Sequence, residues 1–189
     1  MKVTIVAFDQ CTDIDVFLPW DLFNRVRFIH PEWSIRIVGT KAVHTSATGL
    51  PVTIHGDIEE CNAADIVFFS SGAGTRSLIK DPSYLNRFTL NPEKQLIGSM
   101  CSGSLLLAAL GLLNDLTATT YPSVQHILES MGITVVEEPL VVHGNIATAA
   151  GCLAALDLVG WMVEKAVGTE TKDRVLASVQ PVGKLTCIY

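Results

Sequence analysis

The sequence predicts an α/β fold, a mostly parallel sheet with helices on both faces. Short, continuously apolar, β-branched runs alternate with segments of helical spacing. That is the pattern of strands buried on both faces by crossover helices. Hydrophobic residues make up 49% of the 189 residues and charged residues 17%, enough for a large core and too apolar for intrinsic disorder. Two apolar runs, "FFSSGAGT" and "IGSMCSG", end in turns of small residues. Open α/β sheets bind ligands at such carboxyl ends of strands.

Each element follows from its residues. "KVTIVAF" is a first buried strand, and "FLPWDLFNRV" a helix whose Pro19 suits a first turn. "WSIRIVGT" is a second strand, and "TSATGLPVTIHGD" alternates around Gly49 as a small hairpin does. "ADIVFFSS" is a third strand; "RSLIKDPSYLNRF" holds two short helical pieces separated at Pro82. "KQLIGSM" is a fourth strand, followed by a long helix over "SGSLLLAALGLL". "PSVQHILESMG" starts a helix at Pro122 and stops it at Gly132. "ITVVEEPLVVHGNIATAA" gives two short strands and an HGN turn, "GCLAALDLVGWMVEKAVG" a strong helix, and "TETKDRVLASV" a further one.

Composition narrows the function classes. The net charge is −6 and no Lys/Arg cluster stands out, so the basic stripe of a nucleic-acid groove is missing. A chain of this length also leaves no room for a helix-turn-helix pair beside the sheet. No run approaches the ~20 apolar residues of a membrane helix, and "MKVTIVAFDQ" is too short for a signal segment. The five cysteines, Cys11, Cys61, Cys101, Cys152 and Cys187, are scattered with no CxxC pair. This argues against a disulfide framework and a structural metal, and for a reducing, cytoplasmic location. The expectation is one domain over residues 1–189 with no metal or cofactor, no membrane partner and no nucleic acid.

Cys101 is the candidate nucleophile. It sits between an apolar strand and an apolar helix, among Gly98, Ser99, Ser102, Gly103 and Ser104. A sharp strand-to-helix turn brings backbones close and demands small neighbours, and it projects its side chain from the sheet edge. The following helix N-terminus favours an anion and so a thiolate. Cys11, Cys61 and Cys187 lack this context and read as small buried hydrophobes. A thiolate needs an acid and donors for developing charge. Gly72 and Gly74 of "SSGAGT" leave room for a ligand beside backbone N–H groups; taken alone, the segment is equally a plain tight turn. Asp13, Asp15 and Asp21 lie near a helix start, where carboxylates act as caps. Asp15 stands apart because Ile14, Val16 and Phe17 surround it, a setting that favours a neutral acid. No histidine among His30, His44, His55, His126 and His143 is marked by its neighbours.

These motifs resemble the ThiJ/PfpI superfamily. "IDVFLPWDLF" is similar to the family's "LDxxGPxEVF", "SSGAGTRSL" to "PGGPGTRxL", "MCSGSLLLAALGLLNDLTATTYPS" to "VCTGALLLAAAGLLxGRxATTHW", and "GNIATAAGCLAALDLVGWMVE" to "GNVITSAGVSAGIDLALWLVE". The resemblance implies the flavodoxin-like three-layer sandwich of class I glutamine amidotransferases, with a nucleophile elbow. It implies Cys101 as nucleophile and Asp15 as acid, and places Gly72, Ser102 and Gly151 in oxyanion stabilisation or substrate binding. Within the superfamily the pattern is most similar to isocyanide hydratases and to the sensor domains of AraC-type regulators. The first implies hydration of a small-molecule isocyanide to an N-formamide; the second implies a metabolite or oxidation sensor. Glyoxalase-like, deglycase-like and chaperone roles complete the range. A homodimer is also implied, which sedimentation at micromolar concentration checks.

The chain departs from the pattern in four places. Tyr121 stands where peptidase members keep histidine, so the resemblance does not extend to a Cys–His dyad. Ser70 and Ser71 replace the proline and first glycine of "PGG", and Leu18 replaces a glycine before Pro19. Bulk at Leu18 is expected to narrow the pocket, and Ser71 to reshape the oxyanion loop.

Overall fold

A computed structural model describes residues 1–180; Cys187 lies outside them. Strand β1 (Lys2–Val6) leads through helix α1 (Asp13–Val26) to β2 (Ser34–Gly39). The hairpin β3 (Val43–Thr45) and β4 (Pro51–Thr53) follows, then the short β5 (Gly56–Asp57). Next come β6 (Ile66–Phe69), α2 (Thr75–Leu78), α3 (Pro82–Leu85), β7 (Leu96–Met100) and α4 (Ser104–Ala109). β8 (Thr117–Ala118) and β9 (Thr134–Val135) pair around α5 (Gln125–Ser130). β10 (Leu140–His143), β11 (Ile146–Ala149), α6 (Ala155–Val167) and α7 (Thr169–Ala177) complete the described elements.

The main sheet runs in the order β10-β11-β7-β6-β1-β2-β5. Its pairs are parallel except β10 with β11. Helices α1, α6 and α7 pack together, while α4 packs with α2 and α5. Successive side chains on a strand point to opposite faces, and β6 shows the result. Phe68 meets Phe23 of α1 edge-on, with ring centroids 6.2 Å apart. Phe69 meets Phe88, after α3, at 5.3 Å. Both β6 phenylalanines are fully buried, each burial stabilising the fold by about 1.5–3 kcal/mol. The three-layer α/β sandwich is therefore the observed architecture.

Two local expectations change. Helix α1 begins at Asp13, so Pro19 lies in its interior, not its first turn. Thr12 N–H donates to Ser71 O at 2.8 Å and fixes where the helix starts. The missing N–H of Pro19 leaves the Asp15 carbonyl without its usual helical donor. The helix after Cys101 is also shorter than the apolar run predicts. It stops at Ala109, and Gly111 turns the chain with a φ of 74°. Leu113 is nonetheless buried, so the run keeps filling the core after its helix has ended. Among the described residues no helix is long and apolar enough to cross a membrane.

Candidate active site

Four adjacent parallel strands, β11, β7, β6 and β1, end at one edge of the sheet. The residues just beyond them are Gly151 and Cys152, Cys101, Ser70 to Gly72, and the segment leading to Asp15. Chain order separates these groups widely; sheet order makes them neighbours. A cleft of about 310 Å³ opens there, lined by Thr12, Ser71, Gly72, Arg76, Cys101 and Cys152 among others.

Cys101 turns from β7 into a 3₁₀ turn with a φ of 45°. A side chain with positive φ is strained by about 1–3 kcal/mol and persists only when its surroundings hold it. Thr120 Oγ1 donates to the Cys101 carbonyl at 2.9 Å. Ser104 Oγ lies 3.0 Å from the same carbonyl and 2.8 Å from Thr120 Oγ1. Gly103 explains the small neighbours: a Cβ there would come within 2.7 Å of Ser70 O and 2.9 Å of Phe69 O. The predicted elbow is therefore present, pinned by two hydroxyls whose roles the sequence did not reveal.

Asp15 is completely buried. It does not cap α1, because the Thr12 N–H that a capping carboxylate would accept goes to Ser71 O. Its Oδ2 accepts from Ser71 Oγ, and Ser71 Oγ is 3.2 Å from Thr12 Oγ1. Oδ1 has no hydrogen-bond partner of good geometry. A carboxylate oxygen of Asp15, Cys101 Sγ and Cys152 Sγ all lie within 4.8 Å of one another. These three are the converging ligand-type side chains among the described residues, and two sulfurs with one carboxylate suit a soft cation.

The thiol does not follow the sequence expectation of an easily formed thiolate. Burial pushes Cys101 up, and the neighbouring Asp15 and Cys152 push it further. Burial and Asp15 likewise push Cys152 up to about 11. The N-terminus of the short helix after Cys101, a 3₁₀ turn plus the six residues of α4, stands against burial and an adjacent carboxylate. The Asp15 carboxyl, within 4.8 Å of the sulfur, is a proton partner for this thiol.

Gly72 and Ser102, which the resemblance places in oxyanion stabilisation or substrate binding, bond to each other. Gly72 N–H donates to Ser102 Oγ at 3.0 Å, and Ser102 Oγ donates to Gly72 O at 3.1 Å. The absence of a Cβ at Gly72 serves the chain rather than a ligand. With a φ of 147°, a Cβ there would stand 2.1 Å from Gln10 O and 2.6 Å from Cys11 Cα, where the two segments form an isolated bridge. Gly72→Ala should destabilise the protein by about 3 kcal/mol or more. Urea unfolding checks this; an unchanged midpoint would show that the crossing can relax.

The remaining candidates are spread around this centre. Gly151, with a φ of 81°, opens the 3₁₀ turn Cys152–Ala154. It lines a neighbouring cleft of about 470 Å³ with Tyr121 and Glu137. Tyr121 is 48% exposed and lines both clefts. Leu18 packs against the core and not into the Cys101 cleft. None of the five histidines lines that cleft; His30 and His143 bond to Thr171 and Thr117, and His44 faces Asp9. Cys11 and Cys61 are fully buried, and burial raises Cys61 to about 12. Sequence reasoning missed two residues of the centre. Ser71 appeared only as a departure that reshapes a loop, whereas it orients Asp15. Cys152 carried a signal: the family pattern has valine there, directly after the glycine that follows β11.

Known proteins resemble this chain over most of its length. An isonitrile hydratase from Pseudomonas putida is 28% identical over 177 residues, 93% of this chain and 76% of that protein. The glutathione-independent glyoxalase DJ-1 of Schizosaccharomyces pombe is 25% identical over 80% of this chain and 83% of its own length. The crystal structure of a ThiJ/PfpI family protein from Pseudomonas syringae superimposes with a TM-score of 0.84 at 25% identity, covering 95% of this chain and 75% of that one. The profile of the DJ-1/PfpI family matches residues 1–165, a span that holds the elbow, its acid and all four strand ends of the site, and the chain belongs to that family.

Proposed function

We propose that this protein is a cysteine-dependent hydratase that converts a small isocyanide to its N-substituted formamide. The observation that carries this reading is the fully buried Asp15 carboxyl within 4.8 Å of the sulfur of Cys101, a residue that lines a small cleft. The proton of Cys101 passes to Asp15, and the thiolate attacks the terminal isocyanide carbon. Asp15 returns the proton to that carbon, giving a thioformimidate, R–N=CH–S–Cys101. Water adds across the C=N bond, its first proton going to nitrogen, and the C–S bond breaks as the hydroxyl proton returns to Cys101 through Asp15, releasing R–NH–CHO and the thiol. No leaving amine has to be protonated in the first step, so one acid beside the sulfur is sufficient. Amide cleavage asks for more: an oxyanion donor and a base near neutral pH. Here the Gly72 N–H is engaged by Ser102, and Tyr121 stands at the histidine position, offering a phenol in place of an imidazole. The similarity to an isonitrile hydratase supports the same reading.

Similarity to the S. pombe glyoxalase favours a second electrophile, a small reactive aldehyde. One panel separates the possibilities: a model isocyanide, methylglyoxal, casein-type peptides and glutamine, each with purified protein. The expected result is formamide production and no peptide or glutamine cleavage. Methylglyoxal turnover without formamide moves the protein to the glyoxalase reading. Cys101-dependent amide cleavage overturns the hydratase reading, and no turnover of any substrate favours a sensor.

A further inference from the structure

The hydration route leaves one sulfur unused. Cys152 Sγ lies within 4.8 Å of Cys101 Sγ, yet it belongs to a different strand end and takes no part in proton transfer to the isocyanide. We propose that Cys101 and Cys152 form a dithiol redox site that reduces a small hydroperoxide and closes to an intramolecular disulfide.

The two cysteines differ as a peroxide-attacking and a resolving thiol must. Cys101 is 3% exposed, lines the cleft and is pinned at its carbonyl. Cys152 is half-buried and starts a single 3₁₀ turn directly after Gly151. Nothing lies within 4 Å of where a Gly151 Cβ would be, so the backbone there has room to shift. A disulfide brings its sulfurs to about 2.05 Å, and the movement falls on the Cys152 side. No other described cysteine competes: Cys11 and Cys61 are fully buried and line no part of this cleft.

The chemistry balances within the site once the oxidant is supplied. The Cys101 thiolate attacks the distal peroxide oxygen, the O–O bond breaks, and the alkoxide takes a proton and leaves as an alcohol. Sulfur loses two electrons to the peroxide and becomes a sulfenic acid. Cys152 attacks that sulfur as thiolate, the S–S bond forms, and the hydroxyl leaves as water with the second thiol's proton. Asp15, in reach of both sulfurs, carries the protons. An external dithiol regenerates the pair by exchange. Resolution by Cys152 stops the sulfur before the irreversible second oxidation to sulfinic acid.

The test reads thiol chemistry on the full chain and is independent of isocyanide turnover. Reduced protein, in buffer with a chelator, is treated with equimolar hydrogen peroxide and the remaining thiols are blocked. Digestion after glutamate cuts at Glu129 and Glu137 and separates the two cysteines, which trypsin cannot do because residues 95–164 contain no Lys or Arg. The expected product is a linked Cys101–Cys152 peptide pair, lost on treatment with dithiothreitol. In Cys152→Ser and Cys152→Ala, Cys101 should carry two oxygens that dithiothreitol does not remove, at least about fivefold more than in wild type. Sulfinic acid at Cys101 in wild type with no linked pair, a pair between other cysteines, or no oxidation at either sulfur would each overturn the proposal.

Discussion

Cys101→Ser should lose isocyanide turnover almost as completely as Cys101→Ala, by about three orders of magnitude or more. A hydroxyl matches the thiol in shape and can still donate to Asp15, but it holds its proton far more tightly. If Cys101 only shaped the cleft or hydrogen-bonded a substrate, serine would preserve most of the activity. If the sulfur attacks carbon, serine fails with alanine. Stability should separate from activity. Each variant changes one buried atom and leaves Thr120 and Ser104 on the residue-101 carbonyl. A cost near 1 kcal/mol shifts Tm by only about 2–4 °C in a protein of this size. A covalent adduct on Cys101, seen by mass spectrometry when a bulky isocyanide slows the water step, checks the route directly. Appreciable turnover by Cys101→Ser, or an adduct on Cys152, would remove Cys101 as nucleophile.

The elements of this fold were legible because their signals are local. "KVTIVAF", "ADIVFFSS" and "KQLIGSM" are apolar on both strand faces, and the structure buries them so. Pro82 and Gly132 act within their own turns, where the structure finds them. The two misread helices failed for tertiary reasons. The start of α1 is set by a hydrogen bond to Ser71 on another strand end, which carries more weight than the preference of Pro19 for a first turn. The apolar run after Cys101 predicts a long helix by periodicity, but burial of Leu113 does not require helical backbone.

The site divides in the same way. The elbow at Cys101 is written in consecutive residues, and a strand-to-helix turn requires them wherever it occurs. Cys152 and Ser71 become site residues only through the sheet order β11-β7-β6-β1, which places strand ends from opposite parts of the chain side by side. The same limit bears on the thiol. A helix N-terminus is visible in the sequence, whereas the burial and the nearby carboxylate that push Cys101 up are not.

Asp15→Asn should therefore have two effects of opposite sign. Turnover falls by about two orders of magnitude or more, because the amide has no proton to give to carbon and cannot take one from the thiol. Alkylation of Cys101 nevertheless becomes easier. In the wild type the Asp15 charge adds to burial in raising the Cys101 thiol, so removing that charge lowers it, and the alkylation–pH profile moves to lower pH. A purely structural role for Asp15 would not produce this split, since a disordered site would lower turnover without a defined downward shift in the titration. Asn retains the Ser71 contact through its side-chain oxygen, and Asp15→Glu tests whether any carboxyl suffices when displaced by one methylene. Iodoacetamide labelling of Cys101 across pH, read by mass spectrometry beside formamide production, measures both quantities on one preparation. Turnover close to wild type would exclude Asp15 as the acid. A shift of the labelling profile to higher pH would mean that the carboxyl supports the thiolate in its neutral, donating form at every stage, and that its charge never bears on the sulfur.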